Sequence, residues 1–473
     1  MFRLARSAQI VQVRNPKAMA FVLMFGAFIG LFSETALNMA LTNIIEDFSI
    51  TAGTAQWLTT GYLLTLGILV PVSSLLIQWF TTKQLVVTSL VFSIIGTILA
   101  ALAPSFSALL IGRLVQAIGT GILLPLMMNV ILLIFPIHKR GAVMGLMGLV
   151  ITTAPAVGPA LSGVIVDTLG WPFIFWISLI FYAGLILFGL KSIDNVSRIT
   201  KPAIDSVSII FSTLGFGGLI YSLSTIAEKS LTSPQVYLPF IVGSVSIVLF
   251  VIRQFKMEQP MINLRVFKYP MFTVGAVLLF IGMFLILSTA ILLPLYIKGS
   301  LLLSAAIAGL ILLPGSAMNA MLSPIIGKLF DQFGAKRFLP LGFFLTVVGS
   351  LLFAVTISAE TPIGYIIAAN MILFTGISMI IMPAQTNGLN QLPRELYADG
   401  AAVMNTLQQI AGAAGTALAI TLMISGQNMH VDHFPASTEM ESLAAGIKYT
   451  FYFITALATI GFITSLFVKR VRV

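Results

Sequence analysis

Cysteine is absent from all 473 residues, so this chain has neither a disulfide framework nor a thiolate metal site. Charge is nearly as scarce: Asp, Glu, Lys and Arg make up 8%, where a soluble protein carries about a quarter. Histidine occurs three times, as His138, His430 and His433, always outside the long apolar runs, which argues against a histidine proton relay. "HVDH" (430–433) reads as a solvated outer loop rather than a metal site. No phosphate loop, nucleophile triad or intramembrane metal cluster can be assembled, which disfavours an ATP-driven pump or a membrane-embedded enzyme. What is abundant is apolar. AVILMFWYC supply 58% and mean hydropathy is +1.05, which excludes a soluble enzyme, a nucleic-acid-binding domain and a disordered scaffold. The net charge of +10 belongs to basic loops, not to a nucleic-acid partner. The expectation is an all-α integral membrane protein.

Apolar stretches bounded by charge or turn residues fall at about 18–41, 54–80, 85–104, 107–135, 140–168, 171–190, 206–226, 234–255, 271–297, 303–330, 336–357, 362–386, 400–425 and 446–468. Fourteen crossings of about 20 residues each fit within the length. The N-terminal cations (Arg3, Arg6, Arg14, Lys17) precede a run with no cleavage site, read as a retained first helix. With both termini cytoplasmic, only Lys229, Lys298 and Lys448 lie outside and every other loop cation inside, the asymmetry of a single orientation. The chain also repeats. "SLLIQWFTTK" (74–83) and "GKLFDQFGAK" (327–336) place Gln78 and Asp331 in equivalent positions 253 residues apart. This offset fits a six-helix bundle over 1–190, two inserted helices with flanking loops over 191–268, and a second six-helix bundle over 269–473. Such repeats mark secondary transporters, with the site between the halves.

Two ionisable residues remain within the stretches, Glu34 in the first and Arg113 in the fourth. Charge there costs about 2.5–3.5 kcal/mol on insertion scales and marks function by default. Three motifs surround them. Gly327, Asp331, Gly334, Lys336 and Arg337 form G-x-x-x-D-x-x-G-x-K-R, a tight turn whose acid either caps a helix or pairs with the basic cluster. Arg113, Gln116, Gly119 and Gly121 form R-x-x-Q-A-x-G-x-G, an arginine beside a smooth glycine face. "APAVGPALSG" supplies Gly158, Pro159 and Gly163, expected to allow close packing and a kink. Trp57 and Tyr62 are candidates for stacking a flat ligand. Asn38, Gln116, Asn319 and Asn370 are polar groups that either bridge helices or touch substrate.

These runs resemble the loop, arginine and antiporter motifs of the major facilitator superfamily. Fourteen crossings, with "LPLYIKGSLLLSAAIAGLILLPGS" and "EQPMINLRVFKYPMF", resemble its EmrB/QacA-type drug:proton antiporters, and "ETALNMAL", "QWLTTGYLL" and "GTALAITLM" extend the similarity from the first crossing to the thirteenth. The resemblance implies the superfamily fold and proton-driven, alternating-access export of lipophilic, often cationic or zwitterionic drugs across a bacterial cytoplasmic membrane. It gives Glu34 and Arg113 the proton-coupling role and Gly158, Pro159 and Asp331 conformational roles. No cofactor beyond the proton gradient is expected, the partners are drugs, protons and lipid, and the expected working unit is a monomer. Exporters of an endogenous metabolite, lipid or siderophore share these features, and a passive facilitator would leave Glu34 unexplained. The chain departs from the family at the first crossing. The family acid stands two places before a threonine, where this chain has Ser33; Glu34 directly precedes Thr35, a rotation of about 100° on a helix. The first loop motif has also lost its acid, to Gln78.

Overall fold

The computed structural model describes residues 13–50, 52–197, 199–201, 205–226, 232–257, 260–303 and 305–469, which form helices and connections with no strand. α1 (Pro16–Ala36) starts on Pro16, with the Asn15 side chain accepting from the Ala18 N–H, and runs through a 3₁₀ turn into α2 (Leu41–Phe48). α3 (Ala52–Trp79), α4 (Thr82–Ala101), α5 (Phe106–Ile134), α6 (Ile137–Leu169) and α7 (Pro172–Ser192) follow. A Thr81–Gln84 capping box opens α4, and Ser105 caps α5. α8 (Ser206–Ile226) and α9 (Pro234–Lys256) form a hairpin. The chain then continues through α10 (Pro270–Gly299), α11 (Ala305–Phe333), α12 (Ala335–Thr356), α13 (Ile363–Ser378), α14 (Ile381–Asn390), α15 (Tyr397–His433) and α16 (Glu439–Ser465).

Among the described residues, thirteen helical segments are long and apolar enough to cross a bilayer, α13 with α14 counting as one. α6, at 33 residues, is about 50 Å long and supplies the remaining crossing by length. The outward faces are apolar: Ile180, Leu187 and Leu310 are each about two-thirds exposed. In water such a surface would aggregate; against hydrocarbon it is the solvated face.

Small residues bring backbones together where the sequence indicated. A Cβ at Gly119 would strike Ser89 and Ser93 of α4, and one at Gly158 would strike Thr35 of α1. Gly163 differs from expectation. Among the described residues nothing lies within 4 Å of its Cβ position, so none of them packs against it there. Helix α6 also runs unbroken past Pro159. That proline has no N–H for the Pro155 carbonyl one turn back, and the Thr35 hydroxyl donates to that carbonyl instead, at 3.2 Å.

Two boundaries depart from the sequence pattern. The stretch predicted as one helix over 362–386 is broken at Met379 and Ile380, between α13 and α14. Pro383 in the first turn of α14 cannot donate to the Met379 carbonyl, which ends the ladder there. α15 continues to His433, so "HVDH" is the last turn of a helix, not a loop.

The α8–α9 hairpin packs through Gly215, Gly218 and Gly243, and α8 lies against both α3 and α15. Arg253 donates to both Asp205 oxygens at 2.7 and 2.9 Å, and this guanidinium holds the Asp205 carboxyl well below the usual carboxylate range. The segment after α7 is tied to the start of α4: Asn195 accepts from the Lys83 N–H, and the Thr82 hydroxyl from Val196 and Ser197.

Candidate functional site

Arg113 is the largest fully buried side chain among the described residues, in the outer third of α5. Its Nη1 donates to Ser33 Oγ at 2.9 Å and Gln116 Oε1 at 2.6 Å. Ser33 also donates to Gln116, whose amide reaches Thr97 of α4. The guanidinium lies 4.3 Å from the centroid of the Tyr62 ring, and the Tyr62 hydroxyl bonds Gly30 and Thr120. Nε and Nη2 have no hydrogen-bond partner among the described residues. The cation is thus held by neutral groups and an aromatic face.

Glu34, one residue on, is half-buried and has no hydrogen bond or ion pair to any described residue. Arg113 bonds Ser33 and Gln116 and forms no ion pair with Glu34, and the reason is rotation. Ser33 occupies the helix face that meets Arg113, and Glu34 is turned about 100° from it.

Several substrate candidates are bridges instead. Tyr62 is fully buried beneath Arg113 and Gln116 sits inside the same network, so neither presents a surface to a ligand in this state. Trp57 instead meets Tyr221 of α8, with ring centroids 5.6 Å apart and the planes tilted by 37°. Asn370 donates to the Leu312 carbonyl of α11 and so bridges two helices, whereas Asn319 accepts from Ser323 one turn away on the same helix. The Asn38 and Pro159 side chains lie outside the described residues.

The conformational motif works differently from a simple ion-pair latch. No ion pair links Asp331 to Lys336 or Arg337. Asp331 instead accepts from the Gly141 and Ala142 N–H groups at 2.7 and 2.9 Å, placing its charge on the N-terminus of α6. Gly327 lets α11 approach Gly141 and Gly145, and Gly334 takes φ +74° at the start of α12. Lys336 is exposed and Arg337 lies over the Phe333 ring.

Sequence reasoning missed two residues on this seam. Arg140, counted as a loop cation, is 4% exposed. It donates to Asn390 and Tyr397 across the seam and to the Leu132 and Phe135 carbonyls at the C-terminus of α5. Its helical phase with buried Met144, Met147 and Ile151 was the available signal. Asp399, in the first turn of α15, is 5% exposed, so Glu34 is not the only carboxylate buried among the crossings. Its Oδ1 accepts from Ser74 Oγ of α3 and from the Asn263 N–H, each at 3.0 Å. Deeper in, Gln385 of α14 and Asn405 of α15 reach Met128 of α5. These bonds close the cytoplasmic ends of the first six crossings against the last six. Toward the outer ends of α6 and α11, a Cβ at Gly163 or Gly309 would meet open space.

Comparison with known proteins fits this arrangement. Residues 23–416 match the model of the Major Facilitator Superfamily. The chain is 54% identical over 464 residues, covering 98% of both sequences, to a lincomycin resistance protein, LmrB, of Listeria monocytogenes serovar 1/2a. It is also 54% identical over 457 residues, 95% of each, to LmrB of Bacillus subtilis strain 168. Its fold is similar to the crystal structure of the human organic anion transporter MFSD10, with a TM-score of 0.67, 13% identity, and coverage of 95% of this chain and 99% of that one. The chain is therefore a multi-pass member of the major facilitator superfamily.

Proposed function

We propose that this chain exports drugs, lincosamides among them, from a bacterial cytoplasm in exchange for protons, working as a monomer without a bound cofactor. The carrying observation is Glu34: a half-buried carboxylate within a crossing, with no hydrogen bond or ion pair to any described residue, beside a buried arginine that no described acid pairs with. Such a carboxylate is available to a proton and to a cationic or hydrogen-bonding drug in turn, but not to both. The closed cytoplasmic seam corresponds to the outward-facing state, in which a proton arriving from outside displaces the drug. Opening the seam returns Glu34 to the cytoplasm, where it releases the proton. The two units, residues 1–190 and 269–473, rock about the seam while the α8–α9 hairpin spans them.

Efflux of lincomycin and ethidium with and without an uncoupler, by the wild type and by Glu34→Gln, tests this reading. Uncoupler-sensitive efflux is expected from the wild type, and a loss of at least about tenfold, ~1.4 kcal/mol, from the variant. Undiminished, uncoupler-sensitive efflux by Glu34→Gln would remove Glu34 from the coupling. Efflux indifferent to the uncoupler in both would make the chain a passive facilitator.

A further inference from the structure

The seam between α5 and the α14–α15 pair holds three side-chain amides that the closed state leaves poorly bonded. Gln385, Asn405 and Gln408 are 0%, 4% and 5% exposed. Gln385 Nε2 donates across the seam to Met128 Sδ at 3.4 Å, and Asn405 Nδ2 to the same sulfur at 3.8 Å as well as to the Ala401 carbonyl. A thioether is a weak acceptor. Gln385 Oε1 and Gln408 Nε2 have no hydrogen-bond partner among the described residues. Gln408 lies three residues after Asn405, so the two share a face of α15.

The backbone beside this cluster is irregular. α13 stops at Ser378, α14 begins at Ile381, and Gln385 is two residues past Pro383. In a bilayer, broken helices occur where they border a cavity or are covered by protein, and transporter sites form beside them. Unmet amide groups next to a helix break, on a surface that must part when the cytoplasmic side opens, are a binding surface in its closed form.

We propose that Gln385, Asn405 and Gln408 form a neutral subsite that binds the hydroxyl and amide groups of polyhydroxylated amide drugs while the seam is open, and that closing the seam dismantles it. The proposal rests on the export reading and names part of its substrate class. The set carries donors and acceptors and no charge, so it recognises hydroxyls and amides rather than cations. Met128, flexible and polarisable, faces it as an adaptable apolar wall. Closing replaces the drug's hydrogen bonds with a thioether, so affinity is high facing the cytoplasm and low facing outside, the direction export requires. Lincomycin, a sugar with several hydroxyls joined through an amide, has this chemistry; ethidium, a flat cation without hydroxyls, does not.

The test compares KM for lincomycin and for ethidium in proteoliposomes containing the full chain, for the wild type, Gln385→Met and Asn405→Leu. The ratio of lincomycin KM to ethidium KM is expected to rise about tenfold in either variant, ~1.4 kcal/mol of binding. A purely structural role would move both constants together, and an unchanged ratio overturns the proposal. Equilibrium binding of radiolabelled lincomycin to the purified protein covers a variant too slow to transport: weakened binding supports the subsite, wild-type binding overturns it. A wild type that exports ethidium but neither binds nor exports lincomycin overturns the subsite and leaves the export reading standing. A wild type that exports neither overturns the export reading, and lincomycin binding then still decides the subsite.

Discussion

Ser33, Glu34 and Thr35 occupy three faces of α1 and do three different things. Ser33 holds Arg113, Thr35 bonds the Pro155 carbonyl, and Glu34 makes no hydrogen bond or ion pair to a described residue. Glu34 and Arg113 were legible in the sequence because an ionisable residue deep in an apolar run has few explanations. Ser33 was legible only as a departure from a family pattern, since nothing in a serine announces an arginine across the helix pair. Thr35 carries a prediction. Thr35→Val leaves the Pro155 carbonyl without a donor, a loss of about 1–3 kcal/mol, whereas Thr35→Ser keeps the hydroxyl. Thermal unfolding of the purified protein should show a lowered midpoint for valine and a near-normal one for serine. Equal midpoints for the two would mean that the methyl, not the hydroxyl, matters at this position.

At the scale of the helix, apolar runs located the crossings well because membrane helices must satisfy their own backbone bonds. The runs said less about helix ends and breaks. The interruption at Met379–Ile380 and the extension of α15 to His433 lie in sequence that is apolar or polar throughout, with no change of pattern at the boundary. Arg140, despite its helical phase, and Asp399 were missed for a related reason: each sits in a first turn, where burial depends on which helix packs over it. The Asp331 motif was legible as a turn but not in its partner, the N-terminus of α6. A charge at a helix N-terminus contributes about 0.3–1 kcal/mol, and more when partly buried. Asp331→Asn retains an acceptor and loses that charge, so drug efflux should slow several-fold. Lys336→Gln and Arg337→Gln, which alter side chains exposed at the surface, should stay within about twofold. The reverse order, with the basic residues critical and Asp331 dispensable, would restore the ion-pair latch expected from the sequence.

Across the whole molecule, the two ends of the cytoplasmic seam use the same chemistry, a second-half acid accepting from a first-half donor, with the roles of loop and helix exchanged. On one side an acid from the second-half loop, Asp331, reaches a helix of the first half. On the other side the first-half loop has Gln78 where an acid would stand, and that residue holds Thr200 instead. The acid comes instead from a helix of the second half: Asp399 of α15 takes the bond from Ser74, at the first position of that same loop motif. Because Ser74 and Asn263 both donate to Oδ1, an amide oxygen can replace it. Asp399→Asn should therefore keep the seam closed, and Asp399→Ala should loosen it. The absence of cysteine makes this measurable, since Ser323→Cys places a single thiol at the buried contact of α11 with Gly145. In inside-out vesicles, an impermeant maleimide should label this thiol slowly in the parent and in Asp399→Asn, and several-fold faster in Asp399→Ala. Fast labelling in Asp399→Asn as well would show that the seam needs the carboxylate itself and not merely its geometry. Equal, slow labelling in all three would show that Asp331 and Arg140 hold the cytoplasmic side closed without Asp399.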